Sequence, residues 1–297
     1  MTWLQLQFIT QPDHVEALEA TLQASGALSV TMEDNADQPL LEPGVGETPL
    51  WNQIRLTGLY PADTPMETVL NQFSKKDLLR APHRIEILED KDWELEWMSH
   101  YHPMQFGRHL WVCPSWQEPP EPEAVNLMLD PGLAFGTGTH PTTALCLREL
   151  DEIAPAGYVV VDYGCGSGIL TAAALKLGAR KALAVDNDPQ ALAATRDNAR
   201  RNQLSDERLE VAAPDQYNMD AWSQQADLVV ANILAGPLIS LSDVLLNLLK
   251  PGGTLLLAGL LDTQIHSIRE HYSAHITLRV AAQLEGWACL RGDVRSE

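Results

Sequence analysis

An apolar run from Tyr158 to Tyr163 breaks at Gly164-Cys165-Gly166-Ser167-Gly168 and resumes as Ile169–Leu177, a helical stretch stopped at Gly178. A strand that turns into a helix through three glycines leaves few architectures open. Glycines at a strand end let a ligand approach the backbone where a Cβ would stand, and the following helix offers free N–H groups. A second apolar run, Ala182–Val185, ends at Asp186, 18 residues beyond Gly168. A carboxylate there can accept both hydroxyls of a ribose. Asp188-Pro189 then opens a helix through Arg201. Leu209–Ala212, Ala226–Ala231, Gly253–Gly259 and Ile276–Gln283 read as further strands, with helices over Pro237–Lys250 and Thr263–Tyr272. Gly286–Arg291 follows a tight turn and is expected to pair antiparallel with the strand before it. Alternation at this spacing predicts an α/β domain with a doubly wound, mostly parallel sheet.

The glycine spacing is G-x-G-x-G rather than the dinucleotide G-x-G-x-x-G, and Asp162 stands two residues ahead of it. A carboxylate there repels a pyrophosphate and suits the ammonium of an amino acid. S-adenosylmethionine carries both a nucleoside and that ammonium. A second constellation, Asn232-Ile233-Leu234-Ala235, ends the fourth strand of the nucleotide fold. The Asn232 carbonyl either accepts from a substrate amine or amide or satisfies loop backbone. A third, Asp130–Thr143, is dense in Gly and Thr and runs into a helix. Phe135 can cover an apolar moiety there, and His140 is either a general base or a structural histidine.

The first half reads differently. Residues 2–9 alternate as a half-buried strand, a helix opens at Pro12-Asp13, and Leu28–Met32, Ile54–Tyr60 and Arg84–Leu88 read as strands around a helix at Met66–Phe73. That order predicts a small α+β sandwich of the split βαβ, ferredoxin-like type over residues 1–88. Residues 89–100, with Trp93 and Trp97 at i,i+4, read as a linker helix. Residues 101–297 form the remainder, with a strand at His109–Cys113 and a Pro-rich turn at Pro114–Pro122.

Charge narrows the partners. The chain of 297 residues carries 40 acidic against 20 basic side chains, a net charge of −20, and no Lys or Arg precedes Arg55. Such a surface neutralises phosphates poorly, which argues against nucleic acid and anionic membranes and favours a basic partner. Four dispersed cysteines read as reduced thiols. Lacking a basic leader and a long apolar run, the chain is expected to be cytoplasmic and free of membrane spans. His100-x-His102 and His271-x-x-x-His275 lack the partners for a four-ligand site, so no metal is expected.

Three strings, Leu129–Thr143, Asp162–Leu170 and Val230–Leu238, together with Glu89–Trp97, resemble the bacterial methyltransferases of large-subunit ribosomal protein L-eleven over nearly the whole chain. The resemblance implies a seven-strand Rossmann-like S-adenosylmethionine-dependent methyltransferase sheet, preceded by a ferredoxin-like substrate-recognition domain. It implies that Thr143, Gly164, Asp186 and Asn232 contact S-adenosylmethionine; Gly166, Asp162 and Phe135 join them as cofactor-binding candidates on their own chemistry. It also implies methylation of lysine ε-amines and an N-terminal α-amine, up to the trimethyl state; Asn232, from its strand-end position, and His140, the only histidine inside the three motifs, are the catalytic candidates. The chain is expected to act as a monomer. Two alternatives stay open: a methyltransferase of another substrate such as a glutamine side chain, an RNA base or a small molecule, and a non-catalytic nucleoside-binding module.

Overall fold

A computed structural model describes residues 2–36, 38, 47–76, 78–88, 101–130 and 138–294. The chain divides into two compact units, Met1–Met98 and Ser99–Glu297. The expected linker helix at 89–100 and Phe135 lie outside the described residues.

The first unit runs β1 (Trp3–Thr10), helix Pro12–Ala24, β2 (Ser29–Asp34), β3 (Ile54–Pro61), helix Met66–Lys75 and β4 (His83–Leu88), with a 3-10 turn at Leu78–Arg80. Its sheet order is β2-β3-β1-β4, and every neighbouring pair is antiparallel. Alternation along β1 places Leu6 and Phe8 on the covered face, where they meet Val15, Leu18 and Leu22 of the first helix and Val69 and Phe73 of the second. Phe8 stacks on Phe73 with ring centroids 4.9 Å apart.

The second unit begins with a three-stranded sheet, β5 (Met104–Phe106), β6 (Leu110–Cys113) and β7 (Val125–Met128). Only β6, an unbroken apolar run, is legible in the sequence; β5 has three residues, too few to establish a period, and β7 is interrupted by Asn126. The β5–β6 turn is held by Asp151, whose buried carboxylate accepts from Arg108 N at 2.6 Å and His109 N at 3.1 Å. Helix Pro141–Ile153 follows. Then come β8 (Val159–Tyr163), helix Ile169–Lys176, β9 (Lys181–Val185), helix Pro189–Arg201, β10 (Leu209–Ala212), helix Met219–Trp222 and β11 (Ala226–Asn232). Helices Ala235–Ser240 and Ser242–Leu248, β12 (Leu249–Leu261), helix Ile265–Tyr272, β13 (Arg279–Leu284) and β14 (Trp287–Asp293) complete it.

The large sheet has seven strands in the order β10-β9-β8-β11-β12-β14-β13. β14 runs antiparallel to both of its neighbours, while the pairs β10–β9, β9–β8, β8–β11 and β11–β12 are parallel. The expected antiparallel closing pair is present, and β14 also inserts between β12 and β13. All five residues of β8 are buried, which is why Val159–Val161 is continuous rather than alternating: Val160 packs on one face, Val159 and Val161 on the other.

Two of the boundaries that differ from expectation have a visible cause. The helix expected over Pro237–Lys250 is two helices that meet at Leu241, whose ψ of 5° turns the chain, and the strand starts at Leu249. The strand expected from Ile276 starts at Arg279, because Ile276 forms an isolated bridge with Val294 instead of joining the ladder.

Candidate active site

Strand order reverses between β8 and β11, since β8 continues to β9 on one side and β11 to β12 on the other. The carboxyl ends of strands at such a switch point form the crevice where open α/β sheets bind ligands. Both the glycine turn after β8 and Asn232 at the end of β11 stand there.

The turn is built from positive φ angles: Gly164 at 82°, Gly166 at 54° and Gly168 at 74°. Space excludes side chains as well. A Cβ on Gly164 would overlap the Ile233 methyl, and one on Gly168 would stand 2.7 Å from Thr195 Cγ2. Gly164→Ala is therefore expected to lose about 1–2 kcal/mol to backbone strain and a further ~1–3 kcal/mol to overpacking. Urea unfolding of the variant measures that loss.

The turn is also tied from behind. Thr195 Oγ1 donates to Gly166 O at 3.0 Å and Asn198 Nδ2 to Ser167 O at 2.8 Å, both from helix Pro189–Arg201. Gly164 N and Cys165 N donate to Val185 O. Asp186 closes the other side: Oδ2 accepts from Gly166 N at 2.9 Å and Oδ1 from Asp188 N at 3.0 Å. Each oxygen keeps acceptor capacity beyond the one bond described.

Asp162 is fully buried. One oxygen, Oδ2, accepts from Thr171 N at 3.0 Å and Thr171 Oγ1 at 2.6 Å, anchoring the first turn of helix Ile169–Lys176. The other, Oδ1, is buried with no hydrogen-bond partner among the described residues. Burial pushes its pKa up to about 6, opposed by the Thr171 bonds and reinforced by the Asp186 charge. A half-satisfied buried carboxylate is stabilised by a cation or donor from outside the chain.

Asn232 has the same character. Its Nδ2 donates to Thr143 Oγ1 at 3.4 Å, Thr143 is fully buried, and Oδ1 is buried with no hydrogen-bond partner among the described residues. The backbone of Ile233 that follows lies against Gly259, where a Cβ would stand 2.7 Å from Ile233 C. Leu234 is 48% exposed beside it. His140 is the N-cap of helix Pro141–Ile153, accepting from Thr142 N through Nδ1. Among the metal candidates, His271 Nε2 is hydrogen-bonded with Ser242 Oγ at 2.9 Å.

The sequence candidates Thr143, Asp162, Gly164, Gly166, Asp186 and Asn232 thus fall on adjoining strand ends and on helix Pro141–Ile153 and the glycine turn beside them. Thr171, Thr195, Asn198 and Gly259 were not foreseen. Thr195, Asn198 and Gly259 meet backbone groups distant in sequence and Thr171 holds the Asp162 carboxylate, and only the unusual Gly259 inside an apolar strand carries a sequence signal.

Comparison with known proteins gives one answer. Residues 2–295 match the family model described as ribosomal protein L11 methyltransferase (PrmA). A protein of that name from Cellvibrio japonicus is 51% identical over 291 residues, covering 98% of both chains. Another from Serratia proteamaculans is 52% identical over 294 residues, covering 98% of this chain and 99% of the relative. The crystal structure of a ribosomal protein L11 methylase from Lactobacillus delbrueckii subsp. bulgaricus superposes with a TM-score of 0.58 at 31% identity. That match covers 66% of this chain and all of the other.

Proposed function

The chain belongs to the ribosomal protein L11 methyltransferase (PrmA) family, and from that premise we propose that it methylates amines of ribosomal protein L11 with S-adenosylmethionine. The acceptors in this reading are lysine ε-amines and the N-terminal α-amine. The observation that carries it is the buried Oδ1 of Asn232 beside the glycine turn, which has no hydrogen-bond partner among the described residues.

The residues present fit the cofactor. Asp162 Oδ1, which has no hydrogen-bond partner among the described residues, is an acceptor suited to its ammonium, and the positive-φ glycine turn brings bare backbone to the strand ends. Asp186 is the acceptor for the ribose hydroxyls, Gly164 and Gly166 supply close backbone approach, and Thr143 and Phe135 complete the set. When bound, S-adenosylmethionine supplies an electrophilic methyl group on a sulfonium.

The protein's share is positioning. Asn232 Oδ1 accepts one N–H of the incoming amine and so turns its lone pair in a fixed direction. A lysine amine has a pKa near ~10.4 in water, so the proton must be shed before transfer. A water-poor site that disfavours the ammonium helps remove it. The exposed aliphatic Leu234 suits the hydrocarbon stem of a lysine and offers no ring to stack on a planar amide or base.

Residues 1–88 serve as a ferredoxin-like recognition domain, 89–100 as its linker and 101–297 as the methyltransferase domain. The acidic stretch before Arg55 steers a basic ribosomal protein. The chain works as a monomer in the cytoplasm and requires neither nucleic acid nor a membrane; no described helix is long and apolar enough to cross one. Raising ionic strength from about 0.05 to about 0.5 M is expected to raise KM for the ribosomal protein severalfold and leave S-adenosylmethionine affinity within about twofold. A salt-independent KM would return the charge to solubility alone.

Mass spectrometry of ribosomal protein L11 after incubation with the chain and S-adenosylmethionine tests the reading. Mass gains of whole methyl units on lysines support it, and an unmodified substrate contradicts it.

A further inference from the structure

His140 stands between Thr143 and the β13–β14 turn, and we propose that it is a positioning residue. Its imidazole Nδ1 caps helix Pro141–Ile153 and so holds Thr143 against Asn232, and it does not take the amine's proton. This rests on the reading of Asn232 given above.

The hydrogen bonds assign the ring's protons. Thr142 N lies 3.4 Å from Nδ1 and Thr142 Oγ1 lies 2.8 Å from it. A backbone N–H only donates, so Nδ1 carries a lone pair and the neutral ring bears its proton on Nε2. Accepting a proton at Nδ1 would break the cap. The ring is also fixed in place: it packs edge-on to Trp287, with centroids 5.1 Å apart at 66°. Burial lowers its pKa against the opposing influence of Glu285 on the β13–β14 turn, which favours the capping, neutral form.

The cap reaches the site in three steps. His140 is N-cap, Pro141 fixes the first helical φ, and Thr143 follows two residues on within the first turn. Thr143 Oγ1 then accepts from Asn232 Nδ2. That bond pins the nitrogen end of the amide and distinguishes it from Oδ1. An uncapped first turn frays, and the register between Thr143 and Asn232 is lost with it.

Asparagine at position 140 separates the two roles, because it is among the best N-caps and does not titrate. In the full chain, hydrogen exchange at the Thr142 and Thr143 amides is expected to quicken about fivefold or more in His140→Ala and to stay within about twofold in His140→Asn. On ribosomal protein L11, kcat is expected to fall about tenfold in His140→Ala, while His140→Asn keeps about a third or more with an unshifted acid limb of the kcat–pH profile. Two results overturn the proposal: unchanged protection in His140→Ala, or a protected His140→Asn as inactive as His140→Ala. Failure of the unsubstituted chain to methylate the ribosomal protein would overturn the proposed function instead, and the exchange order would still decide the cap.

Discussion

Asn232→Ala is expected to lower kcat on ribosomal protein L11 by about 10²-fold or more, with S-adenosylmethionine affinity within about threefold of the parent. The asymmetry follows from where the amide's atoms are engaged. Nδ2 is held by buried Thr143, whereas Oδ1 meets no hydrogen-bond donor among the described residues. Truncation therefore removes no hydrogen bond that the fold needs beyond the long one to Thr143. It also relieves a buried unsatisfied oxygen, so the thermal midpoint should stay level or rise. Asn232→Asp is the sharper control: it keeps the shape, adds a charge, and attracts the ammonium form that cannot accept a methyl. Turnover in Asn232→Asp should recover only partly, with its optimum displaced to higher pH. Normal turnover in Asn232→Ala would remove this residue from the chemistry.

Asp162→Asn is expected to stabilise the protein while weakening its hold on the cofactor. The native carboxyl titrates at about 6, chiefly because it is buried. A carboxyl in an unfolded chain titrates near ~3.9. The native pKa is raised, so between those values the unfolded chain sheds its proton while the native chain keeps it. Stability from this group falls as pH rises through that window and is level above it. A shift of about two units corresponds to roughly 3 kcal/mol. Asparagine keeps an oxygen for Thr171 and removes the buried charge. Its gain in stability over the parent should be largest above about pH 7 and vanish below about pH 4. Affinity for S-adenosylmethionine should fall about tenfold or more, since the ammonium loses its counter-charge. Thermal unfolding at the two pH values and calorimetric titration read both effects, and unaltered affinity would contradict the assignment of Asp162 to the ammonium.

Much of the site was legible because strand ends carry residue types that the interior of a sheet does not. Three glycines, a carboxylate and an amide at successive ends of apolar runs mark a crevice without any knowledge of pairing. Asp162 was only half legible. Its charge pointed to an ammonium, but its anchoring of Thr171 depends on helix geometry that spacing alone does not give. Thr195 and Asn198 look like ordinary polar positions of an exposed helix, and their bonds to the glycine-turn carbonyls appear only once that helix packs. His140 shows the reverse. A histidine in a Gly/Thr-rich loop reads as a candidate base, and its capping bond becomes visible only when Pro141 is seen to start a helix. In the fold, β8 and β9 were clear as buried parallel strands, while β5, at three residues, was too short to register and β7 is interrupted by Asn126. The turn at Leu241 left no mark, since apolar residues continue through it.

The reaction proposed for the crevice at the ends of β8 and β11 is methyl transfer from S-adenosylmethionine to lysine amines of a ribosomal protein. The most direct measurement is incubation with S-adenosylmethionine labelled on its methyl group, in the presence of purified ribosomal protein L11 and of ribosomal RNA, followed by digestion. The expected result is label on lysine ε-amines and the N-terminal amine of the protein, abolished by Asn232→Ala. Label in RNA, label on glutamine amides, or none at all would contradict it.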